Sequence, residues 1–219
     1  YEISLGLVGS EMCIRDRPSE DASLYESFIL ASGSEIRKQI LSDHGFNFIV
    51  QKSEVDEEEL KEIYTDLPFE EKAIKLALAK AKKVSDVNQD KYVLGADQMC
   101  VYKNKVLNKP GNPKNAVNSL KLLSGDIHYQ YSGIAICLNG ESLWSFCDTA
   151  ILTMKDLSEN DIRSYVEKDE PYECAGSYKY ESHGSELFSE VKGSSYTIQG
   201  LALTPLLKAF EDLGLSFRN

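Results

Sequence analysis

The chain has 219 residues, of which 42% are hydrophobic and 27% charged, a composition typical of a globular protein long enough to bury a proper core. A net charge of −11 disfavours an extended nucleic-acid surface, which would need a basic patch, but it leaves room for a small anionic ligand held by local positive charge. No apolar run approaches the length of a membrane span, so no membrane partner is predicted.

The cysteines are scattered singly and form no CxxC pair, which favours neither a disulfide framework nor a zinc site. A reducing cytoplasm is therefore the predicted setting. The residues are Cys13, Cys100, Cys137, Cys147 and Cys174.

The first stretch, 1–26, has no clear period and fits poorly with the rest of the chain. Its apolar part, Leu5–Gly9, is too short for a signal-peptide core and is preceded by no basic region. The stretch resembles non-native sequence carried in by library or assembly contamination, and we predict a non-native or disordered leader. A single domain is predicted over 27–219.

A strand, a turn and a helix are predicted at the start of this domain. Phe28–Ala31 is an apolar run typical of a short buried strand, and a helix begins at Glu35, with Gly45 as its stop. Ser32 and Glu35 have capping-box spacing. Backbone N–H groups and the helix dipole at such a turn attract anions, so the sequence predicts a phosphate-binding loop.

The next elements alternate between strands and helices. A strand is predicted at Phe46–Val50, and the acidic run Glu54–Glu59 is read as a solvated loop or a helix start. A helix is predicted over Pro68–Lys83, and short strands at Lys91–Leu94 and Met99–Tyr102 flank Gly95–Gln98.

The second half of the chain is rich in predicted strands. After a turn at Lys103–Lys105 and a loop at Asn108–Pro113, we predict a helix over Lys114–Leu123, a hairpin that turns at Asn139-Gly140, and two further helices. The hairpin strands are Tyr129–Leu138 and Leu143–Met154, and the helices are Ser158–Lys168 and Leu203–Leu213. This alternation predicts an α/β fold with a mixed sheet.

Asp97 is the sharpest catalytic candidate. It stands where an apolar strand gives way to Gly95-Ala96, and carboxylates at strand ends of α/β sheets commonly face the ligand crevice. A buried aspartate that caps the next turn is an equally good interpretation.

Two lysines and two acids are weaker candidates. Lys109 could be a phosphate-binding point charge, although a surface lysine is far commoner, and Lys80 is more plausibly a snorkelling side chain. Asp56 and Glu57 could hold a divalent cation through oxygen ligands.

Several mechanisms are disfavoured. The three histidines (His44, His128 and His183) have no ligand spacing and read as structural, and neither a covalent nucleophile nor a Walker lysine motif stands out. A phosphate loop, a separate carboxylate, lysines and an acidic cluster suit metal-assisted hydrolysis of a phosphoanhydride.

Seven short motifs follow one another along the chain. They are Leu30–Lys38, Val55–Glu57, Ala79–Ala81, Gly95–Gln98, Asn108–Pro110, Leu123–Gly125 with His128, and Cys174–Tyr178. Any one motif is weak, but the seven in this order strongly resemble the Maf-like nucleoside triphosphate pyrophosphatases, from about Phe28 to Leu213.

The resemblance implies hydrolysis of a nucleoside triphosphate to the monophosphate and pyrophosphate, with a divalent metal (Mg or Mn) as cofactor. It implies a cytoplasmic homodimer with an elongated mixed α/β fold, in which helices flank the sheet around a central nucleotide cleft. It makes Asp97 the proton acceptor. The expected phosphate-binding residues are Ser32, Ser34, Arg37, Lys80 and Lys109, and the expected metal ligands are Asp56, Glu57 and Asp97.

The resemblance is closest to the branch that cleaves 7-methyl-GTP. Gln98 stands where the dTTP/UTP branch has threonine, and Glu181 where that branch has glutamine. A carboxylate can accept hydrogen bonds from two guanine donors, whereas glutamine suits the pyrimidine edge. The chain departs from the family at Glu35, Lys38 and Ala202. Ile36 stands at a third specificity position, where a 7-methyl-GTP enzyme has tryptophan.

Two alternatives remain open at this stage. One keeps the chemistry and changes the base, giving a dTTP/UTP or broad nucleotide pyrophosphatase. The other is a nucleotide-binding regulator of cell division without significant catalysis. The presence of Asp97, Lys80 and Lys109 argues against this alternative.

Overall fold

The computed structural model describes residues 27–218, so the leader predicted at 1–26 lies outside the described residues. A seven-stranded mixed sheet forms the centre of the fold, in the order β2-β1-β3-β5-β6-β7, with β4 paired to β3. The strands are β1 (Phe28–Leu30), β2 (Phe48–Val50), β3 (Tyr92–Tyr102), β4 (Lys105–Leu107), β5 (Ile127–Leu138), β6 (Glu141–Met154) and β7 (Phe188–Lys192). Strands β2, β1 and β3 are mutually parallel and the remaining pairs are antiparallel, which confirms the predicted α/β fold class.

Helices cover both faces of the sheet. They are α1 (Glu35–Asp43), α2 (Glu57–Ile63), α3 (Phe69–Ser85), α4 (Pro113–Leu123), α5 (Glu159–Asp169), α6 (Ser195–Ile198) and α7 (Leu203–Asp212), with a 3₁₀ helix at His183–Leu187. Within the described part of the chain, no helix is long and apolar enough to cross a membrane.

Strand β1 is apolar throughout because it is buried on both faces. Phe28 and Leu30 pack into the cluster that includes Leu206 and Phe210 of α7. Ile29 belongs to a second cluster with the alanines of α3 on the other face. An unbroken apolar run is the usual pattern for such a two-sided strand.

Local sequence signals explain several boundaries. Asn139 and Gly140 both have positive φ (52° and 77°), as a two-residue hairpin turn requires, so the predicted hairpin is confirmed. Ser158 and Asp161 form a complete capping box at the start of α5. The acidic run proves to be a helix start, because Asp56 is the N-cap of α2.

Three local predictions are wrong. Ser34, not Ser32, is the N-cap of α1, and the Ser32 hydroxyl instead accepts hydrogen bonds from the backbone of Ser34 and from Arg37. Asp97 does not lie at a strand end, because β3 is continuous through it and pairs it with Gly133 of β5. The turn predicted at Lys103–Lys105 is tighter, since Lys105 already begins β4.

Candidate active site

Helix α3 packs unusually close to the sheet because glycines face it. A Cβ atom at Gly95 would lie 2.2 Å from the carbonyl oxygen of Ala77, and one at Gly133 would lie 2.1 Å from that of Ala73. Any side chain at either position would therefore push α3 away from β3 and β5. This close approach places Lys80 of α3 against Asp97 of β3.

Lys80 joins two carboxylates. Its Nζ donates to Oδ1 of Asp97 at 2.7 Å and lies 2.9 Å from Oε1 of Glu57. The side chains of Lys80 and Asp97 are only 9% and 7% exposed, whereas that of Glu57 is 47% exposed. The snorkelling interpretation of Lys80 is therefore wrong, and Lys80 serves as a buried counter-ion.

The charge of Lys80 affects the ionisation of Glu57. Burial would raise the pKa of Glu57, but the attraction and hydrogen bond of Lys80, helped by Lys61 and Lys109, outweigh it and lower the pKa. Glu57 is consequently held as a carboxylate at neutral pH.

The first loop lies beside this group. Arg37 donates from Nη1 to the Ser32 hydroxyl at 3.0 Å and from Nε to the carbonyl of Gly200 at 2.7 Å. Burial lowers the pKa of Arg37, and the negative charges of Asp97 and Glu57 oppose that shift. Arg37 is thus fixed in place next to the two carboxylates.

These elements surround a cavity of about 680 Å³. Most of the predicted site residues line it, from the first loop to the far wall beyond α5. They are Ser32, Ser34, Ile36, Arg37, Glu57, Lys80, Asp97, Gln98, Lys109 and Glu181. Sequence positions more than a hundred residues apart are therefore brought together in one cleft.

The outer residues of the cleft differ from the buried ones. Lys109 is 64% exposed, with Nζ 3.7 Å from Oε2 of Glu173, and Glu181 is exposed. The side-chain amide nitrogen of Gln98 donates hydrogen bonds to the carbonyl oxygens of Thr197 and Ile198, at 3.2 and 2.5 Å. Gln98 therefore ties β3 to α6 while also lining the cavity.

The predicted metal ligands are only partly assembled. The carboxylates of Glu57 and Asp97 converge on Nζ of Lys80, but Asp56 does not line the cavity and accepts from the backbone N–H of Glu59 at 3.0 Å. Within residues 27–218 no group of three or more His, Cys, Asp or Glu side chains could hold a metal ion. Two carboxylates completed by substrate phosphates are nevertheless an ordinary oxygen donor set for Mg²⁺, so Glu57 and Asp97 fit the ion.

Two parts of the cavity were not among the predicted site residues, although Tyr178 belongs to the motif Cys174–Tyr178. Lys52 lines it from the loop after β2, and Tyr178 and Tyr180 line its far wall. A lone lysine beyond a strand end belongs to no motif. Lys52 could have been found only from the parallel pairing of β1 with β2, because parallel strands end at the same edge of a sheet and this places Lys52 beside the first loop.

A buried polar cluster supports the far wall. Gln130 Nε2 donates to the Tyr178 hydroxyl at 2.7 Å, and that hydroxyl lies 2.9 Å from Nε2 of His128. Burial lowers the pKa of His128 to about 4, so the ring is neutral and its Nε2 accepts a hydrogen bond from the Tyr178 hydroxyl. The structural role predicted for His128 fits this geometry.

The low pKa of His128 predicts acid sensitivity. In the unfolded chain His128 takes up a proton near its ordinary pKa of 6.5, whereas the native ring, with a pKa of about 4, stays neutral down to that pH. The free energy of unfolding should therefore fall as the pH drops through this window and gain nothing from His128 above it. Urea unfolding of His128→Asn should show a shallower fall than wild type. The control His183→Asn, at a side chain that is 42% exposed, should keep the wild-type slope, and equal slopes for all three proteins would contradict a buried, neutral His128.

The fold and the cavity define the class of the protein: an α/β protein whose first loop and a lysine-bridged pair of carboxylates line one cavity. Residues 27–213 match the family model of the Maf-like proteins. The chain belongs to that family.

Curated relatives cover most of the chain. A nucleoside triphosphate pyrophosphatase of Legionella pneumophila is 41% identical over 185 residues, which is 84% of this chain and 92% of the relative. One from Nitrobacter winogradskyi is 35% identical over 83% of this chain and 91% of its own length. A dTTP/UTP pyrophosphatase of Bacillus cereus is 34% identical over 87% and 91%. Among solved structures, a HAM1 protein from Coxiella burnetii aligns over 85% of this chain and 99% of its own, with 14% identity and a TM-score of 0.41.

Proposed function

We propose that the chain is a nucleoside triphosphate pyrophosphatase, a hydrolase that cleaves a nucleoside triphosphate to the monophosphate and pyrophosphate. The observation that supports this most directly is the bridge that Lys80 forms between buried Asp97 and half-exposed Glu57 at the cavity wall, beside the first loop and Arg37. The names of the Legionella and Nitrobacter relatives agree with this activity.

Asp97 is the proposed proton acceptor. In the reaction, the oxygen of a water molecule bonds to the α-phosphorus, the bond to the α–β bridging oxygen breaks, and pyrophosphate leaves with that electron pair. The water's proton passes to a carboxylate, which must be ionised to receive it. Lys80 donates a charge-assisted hydrogen bond of 2.7 Å to Oδ1 of Asp97 and so holds this carboxyl group in place at the cavity wall.

The cations would neutralise the triphosphate. Arg37 is held rigidly by Ser32 and Gly200, so little reorganisation is needed when negative charge develops near it. The first loop and the amino end of α1 add backbone N–H groups, with Ser32 and Ser34 beside them, and Lys109 adds charge from the outer edge.

We also propose a divalent metal, Mg²⁺ or Mn²⁺, held by Glu57 and Asp97 together with phosphate oxygens. When bound, such an ion neutralises phosphate charge and favours attack by water. Lys80 already holds both carboxylates in one place, which supports this assignment.

The proposed substrate is 7-methyl-GTP or a related modified nucleotide, on the strength of Gln98 and Glu181. Glu181 lines the cavity and is exposed, so its carboxylate is open to a base. A methylated guanine carries positive charge and several donors, which a carboxylate favours. Ile36 lines the same cavity and would offer an apolar contact. Because the Bacillus cereus relative is named a dTTP/UTP pyrophosphatase, dTTP or UTP is the alternative substrate.

Glu181→Gln should move the preference toward pyrimidines. Replacing the carboxylate by an amide supplies one donor and one acceptor, and we expect the ratio of kcat/KM for 7-methyl-GTP to that for UTP to fall by about 10–100-fold. Steady-state rates of pyrophosphate release on both nucleotides measure this. Glu190→Gln, on β7 outside the cavity lining, is the matched control, and an unchanged ranking in Glu181→Gln would count against the role of Glu181.

The activity itself is tested by a panel of triphosphates. Wild type should release pyrophosphate from at least one member in the presence of Mg²⁺ or Mn²⁺. If wild type releases pyrophosphate from no triphosphate of the panel, the enzyme proposal is contradicted and a nucleotide-binding regulator is favoured.

We further propose a homodimer acting in the cytoplasm. The described cysteines are all free, which suits a reducing compartment. Leu143 and Phe146 of β6 are 42% and 41% exposed and would give apolar area to a dimer interface. Light scattering on the purified chain decides between monomer and dimer.

A further inference from the structure

Lys52 lies against the first loop because two parallel strands end side by side. Leu30 of β1 is paired with Val50 of β2, and the N–H of Gln51 still bonds the carbonyl of Leu30 at 3.1 Å. The chain therefore leaves both strands at the same sheet edge. Lys52 and Gly33 become neighbours there.

The stem of Lys52 runs directly over Gly33. A Cβ atom at Gly33 would lie 2.5 Å from Cε of Lys52, 3.1 Å from Cδ and 3.3 Å from Cγ. The absence of a side chain at Gly33 thus leaves the room that the lysine stem occupies. The ammonium end is accessible, since Lys52 is exposed and lines the cavity.

Lys52 differs from the other cations of the cavity in its partners. Lys80 is bridged to Glu57 and Asp97, Arg37 is bonded to Ser32 and Gly200, and Lys109 lies within 3.7 Å of Glu173. Over residues 27–218, Lys52 takes part in no ion pair within 4.0 Å and no hydrogen bond to another side chain or backbone group that the structure records. Its charge is available to a ligand.

We propose that Lys52 is an additional phosphate-binding residue, which holds the triphosphate of the substrate over the Ser32–Ser34 turn. This inference rests on the proposed function. A flexible ammonium on a four-carbon stem acts as a point charge on a phosphate rather than as a rigid fork. It supplies affinity in the ground state and the transition state alike, and not the chemistry.

Lys52→Met tests the inference because it keeps an apolar stem and removes the charge. We expect KM for the nucleotide to rise about tenfold with kcat changed less than about threefold, the pattern of lost uniform binding. Calorimetric titration with inorganic tripolyphosphate should show a similar loss of affinity. Lys52→Arg should restore most of both. The exposed Lys75→Met, on α3 outside the cavity lining, removes the same charge elsewhere and should behave as wild type.

Coupling to Gly33 supplies an independent readout. Gly33→Ala should displace the Lys52 stem, so its effect on tripolyphosphate affinity should be smaller in the Lys52→Met background than in wild type. Full additivity would contradict the contact.

The outcomes separate the two proposals. If wild type releases pyrophosphate and Lys52→Met matches it, or loses no more than Lys75→Met, the Lys52 inference is overturned and the function stands. If wild type hydrolyses no nucleotide but binds tripolyphosphate through Lys52, the enzyme proposal fails and the Lys52 site stands. If wild type does not bind tripolyphosphate, the Lys52 site fails as well.

Discussion

Asp97→Asn should lower the rate of pyrophosphate release by about 10²–10⁴-fold, the usual contribution of a general base. The amide has almost the same shape as the carboxylate and can still accept from Nζ of Lys80, now 2.7 Å from Oδ1. The chain should therefore fold normally while losing the group that takes the water's proton. Initial rates at saturating nucleotide, with circular dichroism as the fold check, measure this.

Asp126→Asn is the matched control for that substitution. Asp126 pairs with Lys103 at 3.0 Å and accepts from Tyr102 at 2.8 Å. Lys103, the N–H of Ile127 and the Tyr102 hydroxyl hold its pKa at about 2. Like Asp97, it is an aspartate paired with a lysine. It lies outside the cavity lining and should leave the rate unchanged. Retention of more than about a tenth of the activity by Asp97→Asn would remove Asp97 from the role of proton acceptor.

The Lys80→Met variant should have a lower free energy of unfolding than wild type and should not turn over the nucleotide. Removing the ammonium leaves Asp97 as an almost fully buried carboxylate without its counter-ion, next to Glu57. Breaking a buried pair in this way typically lowers the free energy of unfolding by about 3–5 kcal/mol. Urea unfolding near neutral pH measures the loss.

A double variant separates charge from packing. Lys80→Met combined with Asp97→Asn removes the unpaired buried charge, so it should recover much of the stability lost by Lys80→Met and remain inactive. Lys208→Met, whose side chain is 74% exposed in an ion pair with Asp212, should stay within about 0.5 kcal/mol of wild type. A loss below about 1 kcal/mol in Lys80→Met would show that the Lys80 bridge matters little for folding.

The local elements of this fold could be predicted from the sequence because each has its own signal. Asn139-Gly140 imposes a hairpin turn, Ser158 caps α5, and the apolar run at the start of the domain matches a strand buried on both faces. The strand β7 and the short helix α6 were not predicted. β7 forms through pairing with β6, and α6, although Ser194 caps it, has only four residues and is too short to show a helical period.

The two lysines show why the site itself could not be derived from local pattern. Lys80 and Lys109 both look like surface lysines in the sequence, and the structure buries one and exposes the other. The difference arises from Gly95 and Gly133, which let α3 approach the sheet closely enough to cover Lys80. That is a tertiary effect between segments distant in sequence. The resemblance to the Maf-like family, and not spacing, pointed to both lysines.

For Asp97 and Asp56 the local sequence pattern itself predicted the wrong position. Gly95-Ala96 suggested the end of a strand, but β3 runs straight through because β5 pairs with it on one side along its length. The acidic run suggested a shared cation site. Asp56 instead satisfies the backbone at the start of α2, a common use of an aspartate at that position.

The products that wild type forms from a nucleoside triphosphate show which phosphoanhydride bond it cleaves. Wild-type protein is incubated with 7-methyl-GTP and a divalent metal, and the nucleotide and phosphate products are separated and quantified. Wild type should form the nucleoside monophosphate and pyrophosphate in equal amounts, and Asp97→Asn should form much less of both. Formation of the diphosphate and inorganic phosphate would contradict pyrophosphate release, and undiminished release of pyrophosphate by Asp97→Asn would contradict the role of Asp97.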